Sequence, residues 1–73
     1  MEQLDLHGIR HHQAKIIVED FILKVDMPAR IVTGHSIRMQ EIVREVVKKN
    51  LLFCDYESHV NLGAFVITEI DNS

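Results

Sequence analysis

Residues 3–34 read QLDLHGIRHHQAKIIVEDFILKVDMPARIVTG, and three patterns follow one another along them. From Gln3 to His7 apolar and polar residues alternate, with Leu4 and Leu6 on one side and Asp5 and His7 on the other. That is the period of a half-buried strand. Ala14, Ile17, Val18, Phe21, Ile22 and Val25 then recur at offsets 0, 3, 4, 7, 8 and 11, one apolar stripe of a helix. Asp26-Met27-Pro28 breaks the helix, because the residue before a proline is pushed out of the helical region. Ala29 to Thr33 is apolar enough for a central strand. Strand, helix and strand in this order predict a right-handed crossover and two parallel strands.

The pattern continues beyond this unit. Ser36 is placed to cap a second helix, whose stripe is Met39, Ile42, Val43, Val46 and Val47. Lys48 and Lys49 sit at its C-terminal end, where the helix dipole favours cations. Leu52–Ser58 alternates as a third strand, His59–Leu62 turns, and Gly63–Ile70 is a fourth strand. The order is βαβαββ. Two helices with one apolar face each cover one face of a four-stranded sheet. The expected fold class is α/β, in the form of a two-layer α+β sandwich with a mixed sheet and both helices on the same side.

Seventy-three residues make one domain, 1–73, with room for one modest core and one surface site. No apolar run approaches the ~20 residues that span a bilayer, and the acidic, polar start Met1-Glu2-Gln3 predicts no secretory leader. Cys54 is the only cysteine, which excludes an internal disulfide and points to a reducing, cytoplasmic setting. It alternates with apolar neighbours and reads as a buried structural thiol. Ile16 and Leu23 lie off the main stripe of the first helix, a hint of weak homodimerisation.

Eight Lys and Arg against eleven Asp and Glu give a net charge of −3, which argues against a uniformly basic coat. The distribution says more. No carboxylate occurs between Leu6 and Val18 or between Met27 and Gln40, whereas these windows hold Arg10, His11, His12, Lys15, Arg30, His35 and Arg38. They span the segments that leave the parallel strands and open the helices. Open α/β sheets bind ligands at that edge, and helix N-termini favour anions. The expectation is an anion site, phosphate above all. On a continuous strand Asp5 and His7 face the same way, and a carboxylate beside an imidazole poises the ring for proton transfer. Gly8 admits close backbone approach, and Thr33, Gly34, His35 and Ser36 bring hydroxyls, N–H groups and a second imidazole. A zinc set of His7, His11, His12 and His35 crosses a strand–loop–helix boundary without a cysteine and fits no zinc spacing. No metal and no cofactor are therefore expected.

Leu4-Asp5-Leu6-His7-Gly8 resembles the LDLHG motif that opens the Smr (small MutS-related) domain. Ile31-Val32-Thr33-Gly34 is similar to the start of that family's H/T-G-x-G turn, and Asn61-Leu62-Gly63-Ala64 to its N-x-G-A ending. The resemblance covers nearly the whole chain. It implies a fold like the C-terminal domain of translation initiation factor three. It also implies nucleic-acid binding and, in many members, endonuclease activity on RNA or DNA, with roles in DNA repair or at stalled ribosomes. By carry-over, Asp5 and His7 are the catalytic pair. Gly8, Arg10, His11, Thr33, Gly34, His35, Ser36 and Arg38 are the expected phosphate contacts. RNA is favoured over DNA, with the ribosome a candidate partner and no membrane. Ser36 stands where the family has its second glycine. The alternative is thus a catalytically inactive module that binds RNA, the ribosome or a protein.

Overall fold

Leu4 and Leu6, Ala29 and Ile31, Phe65 and Ile67, and Leu52, Cys54 and Tyr56 each repeat at a period of two, so each strand turns one apolar set to the same side. In the computed structural model, which describes residues 1–70, these sets meet the two helix stripes in one core. The strands are β1 (Glu2–Asp5), β2 (Ala29–Val32), β3 (Leu52–Tyr56) and β4 (Ala64–Glu69). The helices are α1 (His11–Lys24) and α2 (Ile37–Lys49). The sheet order is β1-β2-β4-β3, with β1 parallel to β2 and both β4 pairings antiparallel. This is the expected four-stranded mixed sheet in an α+β fold. Ala14, Val18 and Ile22 of α1 and Met39, Val43, Val46 and Val47 of α2 are buried against Ile31, Phe65 and Ile67.

The strands are shorter than the sequence pattern suggests. β1 stops at Asp5 instead of running to His7. Leu6 makes the last rung through its N–H to the Val32 carbonyl (2.9 Å). The chain then turns, closed by the Ile9 N–H on the Leu6 carbonyl at 3.0 Å. The third and fourth strands likewise leave residues 57–63 as one connecting loop. Cys54 is half-buried rather than fully buried, because β3 is an outer strand of the sheet. Burial raises its thiol pKa. Ile16 and Leu23 are 73% and 70% exposed on the outer side of α1.

Ser36 caps α2 as expected, its Oγ accepting the Met39 N–H at 3.2 Å. Tyr56 and Phe65 stack with centroids 5.0 Å apart, and the Arg44 guanidinium lies 4.8 Å from the Phe65 centroid. Because β1 and β2 are parallel, their C-terminal ends share an edge of the sheet. Ala64 at the start of β4 pairs with Val32 at the end of β2, so the 57–63 loop reaches that edge too. Among the described residues, no helix is long and apolar enough to cross a membrane.

Candidate functional site

Three loops meet at this edge: 6–10, 33–36 and 57–63. Gly8 (φ 79°) and Gly34 (φ 66°) each turn the chain out of a parallel strand in the left-handed region, where a side chain costs free energy. The first residue of α1, which follows the first loop, reaches the second: His11 Nε2 lies 3.5 Å from Ser36 Oγ. Gly63 joins the second and third. Its carbonyl accepts the N–H groups of Thr33 (2.8 Å) and Gly34 (2.9 Å), and a Cβ on Gly63 would lie 3.3 Å from Gly34 Cα. A side chain at position 63 would therefore crowd the Gly34 backbone, which would have to give by a few tenths of an ångström. Asn61 Oδ1 accepts the Gly63 N–H at 3.1 Å, so the Asn-x-Gly sequence is a local turn device.

Asp5 and His7 are both exposed at the rim. They do not form the expected carboxylate–imidazole pair. Asp5 Oδ1 instead accepts the backbone N–H of His7 at 2.9 Å. The reason is the early end of β1: His7 lies in the turn, so its side chain leaves the alternation that would set it beside Asp5. Asp5 therefore fixes the turn that carries His7.

Of the N–H groups expected to meet a phosphate, that of Gly34 is already taken by Gly63. Among the described residues, the amides of Arg10, His11 and His12 and of His35, Ser36, Ile37 and Arg38 donate to no protein acceptor. These are the free donors at the starts of α1 and α2, where the helix dipoles also point their positive ends. Thr33 is buried, and its hydroxyl donates to the Gly34 carbonyl at 2.8 Å, which makes it part of the turn rather than a surface contact.

The charges are redistributed relative to their linear order. Arg30 is not at the edge but on the uncovered sheet face, where it donates to Glu57 Oε2 (2.8 Å) and Gln3 Oε1 (2.7 Å). The Glu57 hydrogen bond raises the Arg30 pKa and holds the Glu57 carboxyl below its ordinary range. Lys15 pairs with Glu45 at 3.6 Å and Arg38 with Glu41 at 3.4 Å. All four of these side chains are exposed, and such pairs yield readily to a stronger anion. Among the described residues Arg10 has no ion-pair partner. No three His, Cys, Asp or Glu side chains among them converge to hold a metal ion.

Sequence reasoning missed Gln40. Its Nε2 donates to the carbonyls of Gly34 (3.1 Å) and Leu62 (3.0 Å), and its Oε1 accepts the Tyr56 hydroxyl at 3.1 Å. One signal was present: an uncharged polar residue one turn into an amphipathic helix whose other polar positions are all charged, four positions after its cap. No family model, curated protein or solved structure matches the chain.

Proposed function

We propose that the three-loop edge binds the phosphate backbone of nucleic acid, RNA in preference to DNA, and that His7 moves a proton there in phosphodiester cleavage. The observation that supports this best is the convergence of two carboxylate-free loops, each opening a helix with free N–H donors, tied together by the His11–Ser36 contact. Free amides, positive dipole ends and the cations Arg10 and Arg38 favour an oxyanion. The resemblance to the Smr family points the same way. In RNA, the 2′-oxygen would attack the adjacent phosphorus as its proton leaves to a base. The bond to the 5′-oxygen breaks as that oxygen takes up a proton, leaving a cyclic phosphate and a 5′-hydroxyl. His7, exposed on a fixed turn, serves as one of these proton carriers. We place the protein in the cytoplasm, consistent with its one half-buried thiol.

A second reading, binding without cleavage, is favoured by one observation: Asp5 is spent on the His7 backbone and does not orient its ring. Incubating the protein with single-stranded RNA and duplex DNA, with and without chelator, separates the two. General acid–base catalysis by one side chain is worth about 10²–10⁴ in rate, and His7→Ala should lose that much. Full-rate cleavage by His7→Ala rules out the catalytic reading. Binding without scission by the wild type selects the second.

A further inference from the structure

We infer that Gln40 is a positioning residue of this edge: its carboxamide clamps the Gly34 turn to the 57–63 loop and sets the direction of the amide that follows Gly34. This role presupposes nucleic-acid binding at the edge.

Both ends of the Gln40 carboxamide are engaged. Both Nε2 protons go to main-chain carbonyls, of Gly34 and Leu62, and Oε1 takes the Tyr56 hydroxyl. The reverse orientation would turn the oxygen toward two carbonyls, so the partners dictate the amide's setting. The three partners come from the Gly34 turn, from the 57–63 loop and from the end of β3, and none belongs to α2. Gln40 is therefore a second link between two loops already joined by Thr33 and Gly34 on the Gly63 carbonyl.

What it holds bears on the site directly. The Gly34 carbonyl and the His35 N–H belong to one planar trans peptide and point in opposite directions. Fixing that carbonyl on Gln40 Nε2, with Thr33 Oγ1 as its other donor, aims the free His35 N–H away from Gln40. Without the clamp, the Thr33 hydroxyl alone holds the carbonyl of the peptide that follows this left-handed glycine, and the aim of the donor loosens.

The test compares wild type with Gln40→Glu, Gln40→Ala and Tyr56→Phe. It reads amide hydrogen exchange at Thr33 and Gly34, and affinity for a labelled single-stranded oligoribonucleotide. Glutamate keeps the shape but turns a carboxylate oxygen toward two carbonyls. Gln40→Glu should speed exchange at both amides and weaken RNA binding, each by about tenfold. Exchange at the core amides of Val43 and Val46 should stay as in wild type. Tyr56→Phe, which keeps the ring and its stack on Phe65, should move both readouts the same way by less. Should either Gln40 variant fail to fold, Tyr56→Phe decides. Unchanged exchange at Thr33 and Gly34 overturns the clamp, and loosened amides with unchanged RNA affinity overturn its positioning role. A wild type that binds no RNA overturns the nucleic-acid reading itself, before any variant is compared.

Discussion

Asp5 illustrates how two polar residues spaced for one strand face can be wired otherwise than their spacing suggests. Its carboxylate ends β1 by accepting the His7 N–H, a bond that an asparagine oxygen can also make. Asp5→Asn should therefore keep RNA binding and any cleavage near wild type, whereas Asp5→Ala should lose about tenfold by releasing the turn. Equal losses in the two would show that the charge itself is needed. At the same scale, Glu57 has a pKa lowered chiefly by its hydrogen bond with Arg30, so it stabilises the fold above the ordinary carboxyl value of 4.5. That contribution disappears as pH falls through the lowered value. Melting temperature should thus drop more steeply in acid for wild type than for Glu57→Gln, and parallel curves would contradict this. That Asp5 and His7 lie at the C-terminal end of β1 was legible in the alternation from Gln3 to His7 ahead of the helical stripe. The bond between them was not, because it depends on where β1 stops, and the rung from Leu6 to Val32 sets that point.

The elements were the most legible part, since each carries its own period. The stripes of α1 and α2 and the Ser36 cap stand where spacing puts them. Ser36→Ala should cost about 1 kcal/mol of stability through the lost Met39 bond. Ile31→Ala should cost about 2–5 kcal/mol, because this residue is wholly buried in a strand with neighbours on both sides. Chemical denaturation checks both. A Ser36 variant as damaging as the Ile31 variant would mean that the His11–Ser36 contact carries more than loop alignment. The position of β4 between β2 and β3 is a non-local pairing that no local period encodes, although its run Ala64-Phe65-Val66-Ile67 has the continuous apolar character of an inner strand. For that reason neither the role of Gln40 nor the packing of Gly63 on Gly34 is encoded locally. Their role exists only once β4 brings the 57–63 loop against Gly34.

Over the whole molecule, the net charge of −3 conceals a separation. Among the described residues, the edge at the helix starts carries Arg10, His11, His12, His35 and Arg38, while the carboxylates nearest to it, Asp5 at its rim and Glu57 in the third loop, are held by the His7 N–H and by Arg30. The basic windows hold less free charge than their linear order suggests, because Arg30 folds onto Glu57, while Lys15 and Arg38 make exposed pairs with Glu45 and Glu41. Binding should accordingly be salt-sensitive and should depend on a small number of cations. The decisive measurement is a titration of labelled single-stranded RNA at several salt concentrations, with wild type and with the Arg10→Ala, Arg38→Ala double variant. Each phosphate contact on a single strand contributes about 0.7 to the slope of log affinity on log salt, so the double variant should bind more weakly with a slope shallower by about 1.4. Equal affinity and equal slope in the two proteins, or no binding by wild type at low salt, would contradict an RNA-binding edge.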